Sequence, residues 1–178
     1  MSNGFYQGFI QYFDDGVFVA RILSFETCEH IEALCKRYPT RLAALIPALH
    51  RVQEQIGYVS DEAALDVAEL LDVPPTRVRE VVSFYTMFHA EKIGKHEVKI
   101  CRNLACRMRG SEHIMRKAET LLGICAGETT PDGKFTLAHE ECLAACGTAP
   151  VLWCNDQIVE NLTEEKLETF LATLSVGA

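Results

Sequence analysis

The chain has 178 residues, 48% of them apolar and 24% charged, enough for one substantial domain or two small ones with packed cores. A formal net charge of −8 argues against nucleic acid as a partner, because phosphate recognition needs a basic footprint. No apolar run approaches the ~18 residues that a membrane span requires, and the aromatic N-terminus has no basic leader, so neither direct membrane contact nor a cleaved signal is expected.

Residues 5–22 read as two apolar runs around Asp14-Asp15-Gly16, the pattern of a hairpin with a two-residue turn. A lone hairpin is marginal in water, so this arm, residues 1–25, is expected to pack on the body or dock on a partner. Over residues 26–92 the period becomes helical. Leu42, Leu45, Ile46, Leu49, Val52 and Ile56 recur at helical offsets after the cap candidate Thr40, Gly57 supplies a stop, and Pro47 is expected to kink the helix. Ser60 caps a second helix whose Asp61 and Glu62 suit its positive end, and Pro74-Pro75 opens a third. This segment is a small helical bundle.

Residues 93–178 change character. "EVKI" reads as a strand, and "SEHIMRKAETLLG" as a helix capped by Ser111 with Ile114, Ala118, Leu121 and Leu122 on one face. "TPDG" turns into the strand "KFTLA", then "PVLWC" and "QIVEN" flank Asn155-Asp156 as a hairpin, and Thr163 caps a last helix striped by Leu167, Phe170, Leu171 and Leu174. The expected fold class is therefore α+β: an N-terminal helical bundle followed by a thioredoxin-like βαββα domain, its first two strands parallel because a helix joins them.

Eight cysteines without a secretory leader point to a reducing compartment, where thiols serve as metal ligands or buried side chains rather than disulfides. Cys101 and Cys106 follow the first strand of this domain; Cys142 and Cys146 follow the second. Parallel neighbours end at the same sheet edge, so the two loops are expected to bring four thiolates together. Two sulfurs from each loop suit a binuclear iron cluster with one pair per iron. Structural zinc stays open, because C-x4-C with C-x3-C lies within zinc spacing. A thiol-disulfide enzyme is disfavoured by the absence of C-x-x-C, and a plant-type ferredoxin by Arg109 where a third cysteine would stand.

The segment 91–117 holds eight Lys/Arg against three acids, a basic island around the first pair. Arg102, Arg107 and Arg109 are candidates to ease the addition of an electron, with amides of residues 103–105 and 143–145 as donors to sulfur and Gly147 as a tight exit from the second loop. Cys28 and Cys35, about 10.5 Å apart along a helix, are too distant to bridge. Cys125, Cys154 and His139 are not assigned as ligands. Dinucleotide, P-loop and hydrolase-elbow motifs are all absent, so no hydride chemistry is expected of this chain itself.

"PALHRVQEQIGYVSDEAALDVAELLDVPPTRVREVVSFYTMF", "CRNLAC", "GETTPDGKFTL" and "ECLAACGTAPV" together resemble the 24-kDa subunit family of NADH:quinone oxidoreductase, respiratory complex I, over about residues 39–174. The resemblance implies one [2Fe-2S] cluster on Cys101, Cys106, Cys142 and Cys146. It implies a partner flavoprotein subunit that alone binds NADH and FMN and exchanges single electrons with the cluster. It also implies a cytoplasmic location in the hydrophilic arm of a membrane-associated complex, on the matrix side in a eukaryote. Similar subunits occur in soluble NAD-linked hydrogenases and formate dehydrogenases, and a zinc-stabilised assembly module is the rival of another class.

Overall fold

The computed structural model describes residues 9–12 and 18–176. The chain divides into two compact units, Met1–Lys92 and Ile93–Ala178.

In the first unit, β1 (Phe9–Tyr12) pairs antiparallel with β2 (Phe18–Arg21), from Phe9↔Arg21 to Tyr12↔Phe18. The turn expected at Asp14-Asp15-Gly16 lies outside the described residues. The base of the pair is tied to the helices: Arg21 meets Glu69 at 2.8 Å, and the buried carboxylate of Asp66 accepts from the amides of Ile22 (2.8 Å) and Leu23 (3.2 Å). Burial pushes the Asp66 carboxyl up, and those two amides pull it back.

Four helices follow: α1 (Phe25–Cys35), α2 (Leu45–Ile56), α3 (Asp61–Leu71) and α4 (Pro75–Phe84). Ser24 and Ser60 cap α1 and α3 through their hydroxyls, and Pro75 opens α4, where a missing N–H costs nothing. Pro47 kinks nothing. Thr40 caps a 3-10 turn, Arg41–Ala44, and α2 begins only at Leu45, so Pro47 falls in its first turn, where no intrahelical donor is lost. Leu42, on that turn, faces solvent, whereas Leu45, Leu49 and Val52 are buried with Ile31, Val67 and Val78.

The second unit is built on a four-stranded sheet in the order β4-β3-β5-β6: β3 (His96–Cys101), β4 (Phe135–Glu140), β5 (Leu152–Cys154) and β6 (Gln157–Val159). β3 and β4 run parallel from His96↔Phe135 to Cys101↔Glu140, as the intervening helix requires. β5 and β6 form the expected hairpin across Asn155-Asp156, with Asn155 left-handed at φ 51°. Two helices link β3 to β4: a one-turn α5 (Leu104–Met108) that the sequence pattern does not predict, then α6 (Ser111–Leu122). A last helix, α7 (Glu164–Val176), ends the unit.

Ser111 is not the cap of α6. Gly110, left-handed at φ 93°, takes that place, and Ser111 becomes the first helical residue, buried. The inward stripe is Ser111, Ile114, Met115 and Ala118, while Leu121 faces solvent. Strand alternation puts Val98, Ile100, Phe135, Leu137, Leu152 and Cys154 into one core with α6 and α7, each fully buried aliphatic contributing about 1.5–3 kcal/mol.

The approach to β3 is tight. The Gly94 amide donates to Thr136 Oγ1 at 2.6 Å, and a Cβ at Gly94 would stand 2.7 Å from the Phe135 carbonyl carbon. Gly94→Ala is therefore expected to destabilise the second unit by about 1–3 kcal/mol, read as a lower midpoint in urea unfolding. An unchanged midpoint would show that the β3–β4 junction yields without cost.

Candidate metal centre

The parallel register brings both thiol-bearing segments to one edge. Cys101 is the last residue of β3 and stands opposite Glu140, the last of β4; Cys142 follows two residues later. Cys106 sits within α5 rather than in open loop, and Cys146 begins a 3-10 turn, Cys146–Thr148. Cys101 and Cys106 are 3% and 2% exposed, in a small apolar cluster with Ala149 and Val151 against which Leu143 and Ala145 of the second loop pack. The inner thiol pair is thus roofed by residues that flank the outer pair. Cys142 and Cys146 are exposed.

The sulfurs influence one another across the two segments. Burial is the main cause that pushes the Cys106 thiol up to about 11; a hydrogen bond with Cys101 and the charges of Cys101 and Cys146 add to it, and the Val151 amide opposes it. Two adjacent thiols in an apolar pocket resist joint ionisation, which is the condition a cationic metal relieves. Cys142 Sγ accepts from the Ala144 amide at 3.4 Å. Among the described residues, no three His, Cys, Asp or Glu side chains are grouped closely enough to hold an ion as the chain stands. Cys101 and Cys106 share one apolar cluster, and Cys142 and Cys146 stand exposed on the loop whose Leu143 and Ala145 pack against it.

The donor chemistry fits an iron–sulfur group: an all-sulfur set, half of it sunk in apolar surroundings, with backbone amides turned to sulfur. Of the amides expected as donors, that of Ala144 does bond sulfur, and that of Leu104 instead binds Asn103 Oδ1 at 2.9 Å. The left-handed residue of the second loop is Ala144, at φ 55°, not Gly147. Sequence reasoning missed it because alanine carries no turn signal.

The basic island is partly compensated. Arg102 pairs with Glu141, whose carboxyl it holds below the ordinary range, and Arg107 meets Glu112 at 2.8 Å. These pairs are exposed and screened, so their field at the thiols is weaker than a count of arginines suggests. The remaining cysteines belong to other parts of the fold. Cys28 and Cys35 belong to the helical unit, each pushed up by burial, and Cys125 lies exposed after α6. Cys154 lies in the sheet core, its thiol raised to about 11 by burial and by the charge of Glu97.

Known proteins resemble this chain over most of its length. Residues 31–175 match the family described as thioredoxin-like [2Fe-2S] ferredoxin. An NADH-quinone oxidoreductase subunit of Rhizobium meliloti is 43% identical over 143 residues, 80% of this chain and 85% of that protein. NADH-quinone oxidoreductase subunit 2 of Thermus thermophilus is 38% identical over 152 residues, 84% of each. Among solved structures, the air-oxidised NAD+-reducing [NiFe]-hydrogenase superposes with a TM-score of 0.66 at 16% identity, over 74% of this chain and 23% of that one, a likeness of fold alone. The chain belongs to the thioredoxin-like [2Fe-2S] ferredoxins, in the 24-kDa subunit family of NADH:quinone oxidoreductases. A [2Fe-2S] cluster is the cofactor of this family, which decides against the zinc that cysteine spacing left open.

Ala144 offers a local test. A β-branched side chain at φ 55° is strained, whereas glycine is at ease there. Ala144→Val is expected to lower iron bound per chain at least several-fold, and Ala144→Gly to retain it. Equal iron content in the two variants would detach this turn from the metal centre.

Proposed function

We propose that Cys101, Cys106, Cys142 and Cys146 hold the [2Fe-2S] cluster and that the chain is a one-electron carrier of an NADH dehydrogenase of the complex I type. The supporting observation is geometric: Cys101 ends β3 opposite the last residue of its parallel neighbour β4, and Cys101 and Cys106 share one apolar cluster with Leu143 and Ala145 of the loop that carries Cys142 and Cys146. When bound, the cluster supplies a site that takes up and releases one electron at a time. The chain's part is to bury the inner thiols in an apolar pocket, direct the amides of Ala144 and Val151 at sulfur, and leave the outer edge exposed to an electron partner. Donors to sulfur favour the more negative, reduced state.

Hydride chemistry falls to another subunit in this reading. The chain carries no dinucleotide or P-loop motif, so NADH and FMN belong to a partner flavoprotein, as the resemblance to complex I implies. Among the described residues no helix is long and apolar enough to cross a membrane, and the proposed place is the hydrophilic arm of the complex. The equivalent subunit of a soluble NAD-linked hydrogenase or formate dehydrogenase is the second reading. The hydrogenase likeness carries fold only at 16% identity, whereas relatives at 38% and 43% are NADH-quinone oxidoreductase subunits, which favours the first.

Purified without oxygen, the full chain is expected to be brown, to contain iron and acid-labile sulfide in equal amounts, and to give a one-electron EPR signal after dithionite. Serine at any of the four cysteines should change that signal or lose iron, while serine at Cys28 or Cys35 should do neither. A colourless chain with one tightly held zinc, or an unaltered signal and iron content in any of the four variants, would contradict the proposal.

A further inference from the structure

On either side of the turn between α5 and α6 stands a buried residue carrying a polar or thiol side chain. On α5, Cys106 is buried and its chain neighbour Arg107 exposed; on α6, Ser111 is buried and its neighbour Glu112 exposed. The two exposed neighbours meet at 2.8 Å, which ties α5 to α6 across the turn that separates Cys106 from Ser111. Gly110, at φ 93°, makes the reversal that starts α6 one residue earlier than a serine cap would, so Ser111 is spared from capping. Its amide-capping role is gone, and its residue is only 2% exposed.

The Ser111 hydroxyl then has no hydrogen-bond partner among the described residues. A buried hydroxyl without a partner is destabilising, and an alanine would fill the same small volume without that cost. A donor is worth keeping there when something else accepts. Sulfur atoms carrying negative charge are such acceptors, and the α5–α6 turn is the place where the first thiol pair enters the fold.

We infer that Ser111 is a positioning residue for the metal centre, its hydroxyl donating a hydrogen bond to a sulfur of the bound cluster. The inference rests on the proposed four-cysteine assignment. A donated hydrogen bond stabilises the reduced state more than the oxidised one, because the reduced sulfurs carry more charge. Removing it lowers the reduction potential without removing a ligand.

The test uses the full chain with its cluster. In Ser111→Ala the reduced:oxidised ratio at a fixed solution potential is expected to fall roughly tenfold, equivalent to about 59 mV for one electron. Ser111→Thr, which keeps the hydroxyl, should return towards the parent value, and Ser111→Cys, a weaker donor, should lie between. Pulsed EPR of the reduced parent chain, in water against deuterium oxide, should show an exchangeable proton coupled to the cluster that is absent from the alanine variant. If alanine loses the cluster, the threonine and cysteine variants still order the potentials. Parent-like potentials and proton couplings in all iron-loaded variants would overturn the inference while leaving the cysteine assignment intact. A parent chain with no iron or sulfide would overturn the assignment itself.

Discussion

Everything at the proposed metal centre depends on the parallel ladder between β3 and β4. Its last pair, Cys101↔Glu140, sets the starting points of two thiol-bearing segments that are some forty residues apart in the chain. Slipping the register by one residue would turn Cys101 to the other side of the sheet and displace the second loop by a strand step. That is why constraints far from sulfur matter: the close approach of Gly94 to Phe135, and the core of Val98, Ile100 and Leu137, hold the ladder on which the thiols are hung.

Around that edge the chain uses backbone more than side-chain charge. The sulfurs meet the amides of Ala144 and Val151, and the inner pair lies among alanines, a leucine and a valine, while the arginines spend much of their charge on Glu141 and Glu112. Amide dipoles fixed by the fold need no reorganisation when an electron arrives, and salt does not screen them as it screens exposed guanidinium groups. The inner thiol pair is buried and the outer pair exposed, which suits the proposed passing of electrons to a partner.

Much of this was legible from spacing. The period change near residue 93, the strand before each cysteine pair, the crossover that forces a parallel ladder and the Asn155-Asp156 hairpin all follow from patterns that extend over several residues. What stayed hidden is shorter or longer than such patterns. The helix α5 is a single turn, too brief to show a period, yet it decides that Cys106 is buried. Ala144 adopts a left-handed backbone with no glycine to announce it, and Ser111 gives up a cap position that its residue type advertises. Pro47 looked like a kink because the preceding 3-10 turn continues the apolar spacing of α2. The Arg102–Glu141 pair joins residues 39 positions apart, so the basic island seemed freer in the sequence than it is in the fold.

X-ray absorption at the iron edge of the purified chain bears most directly on the central claim, since it reads the atoms around the metal without reference to activity. Four cysteines around two bridged irons predict a first shell made only of sulfur, four per iron, with one iron neighbour beyond it. A shell containing nitrogen or oxygen, or an iron with no iron neighbour, would contradict that claim.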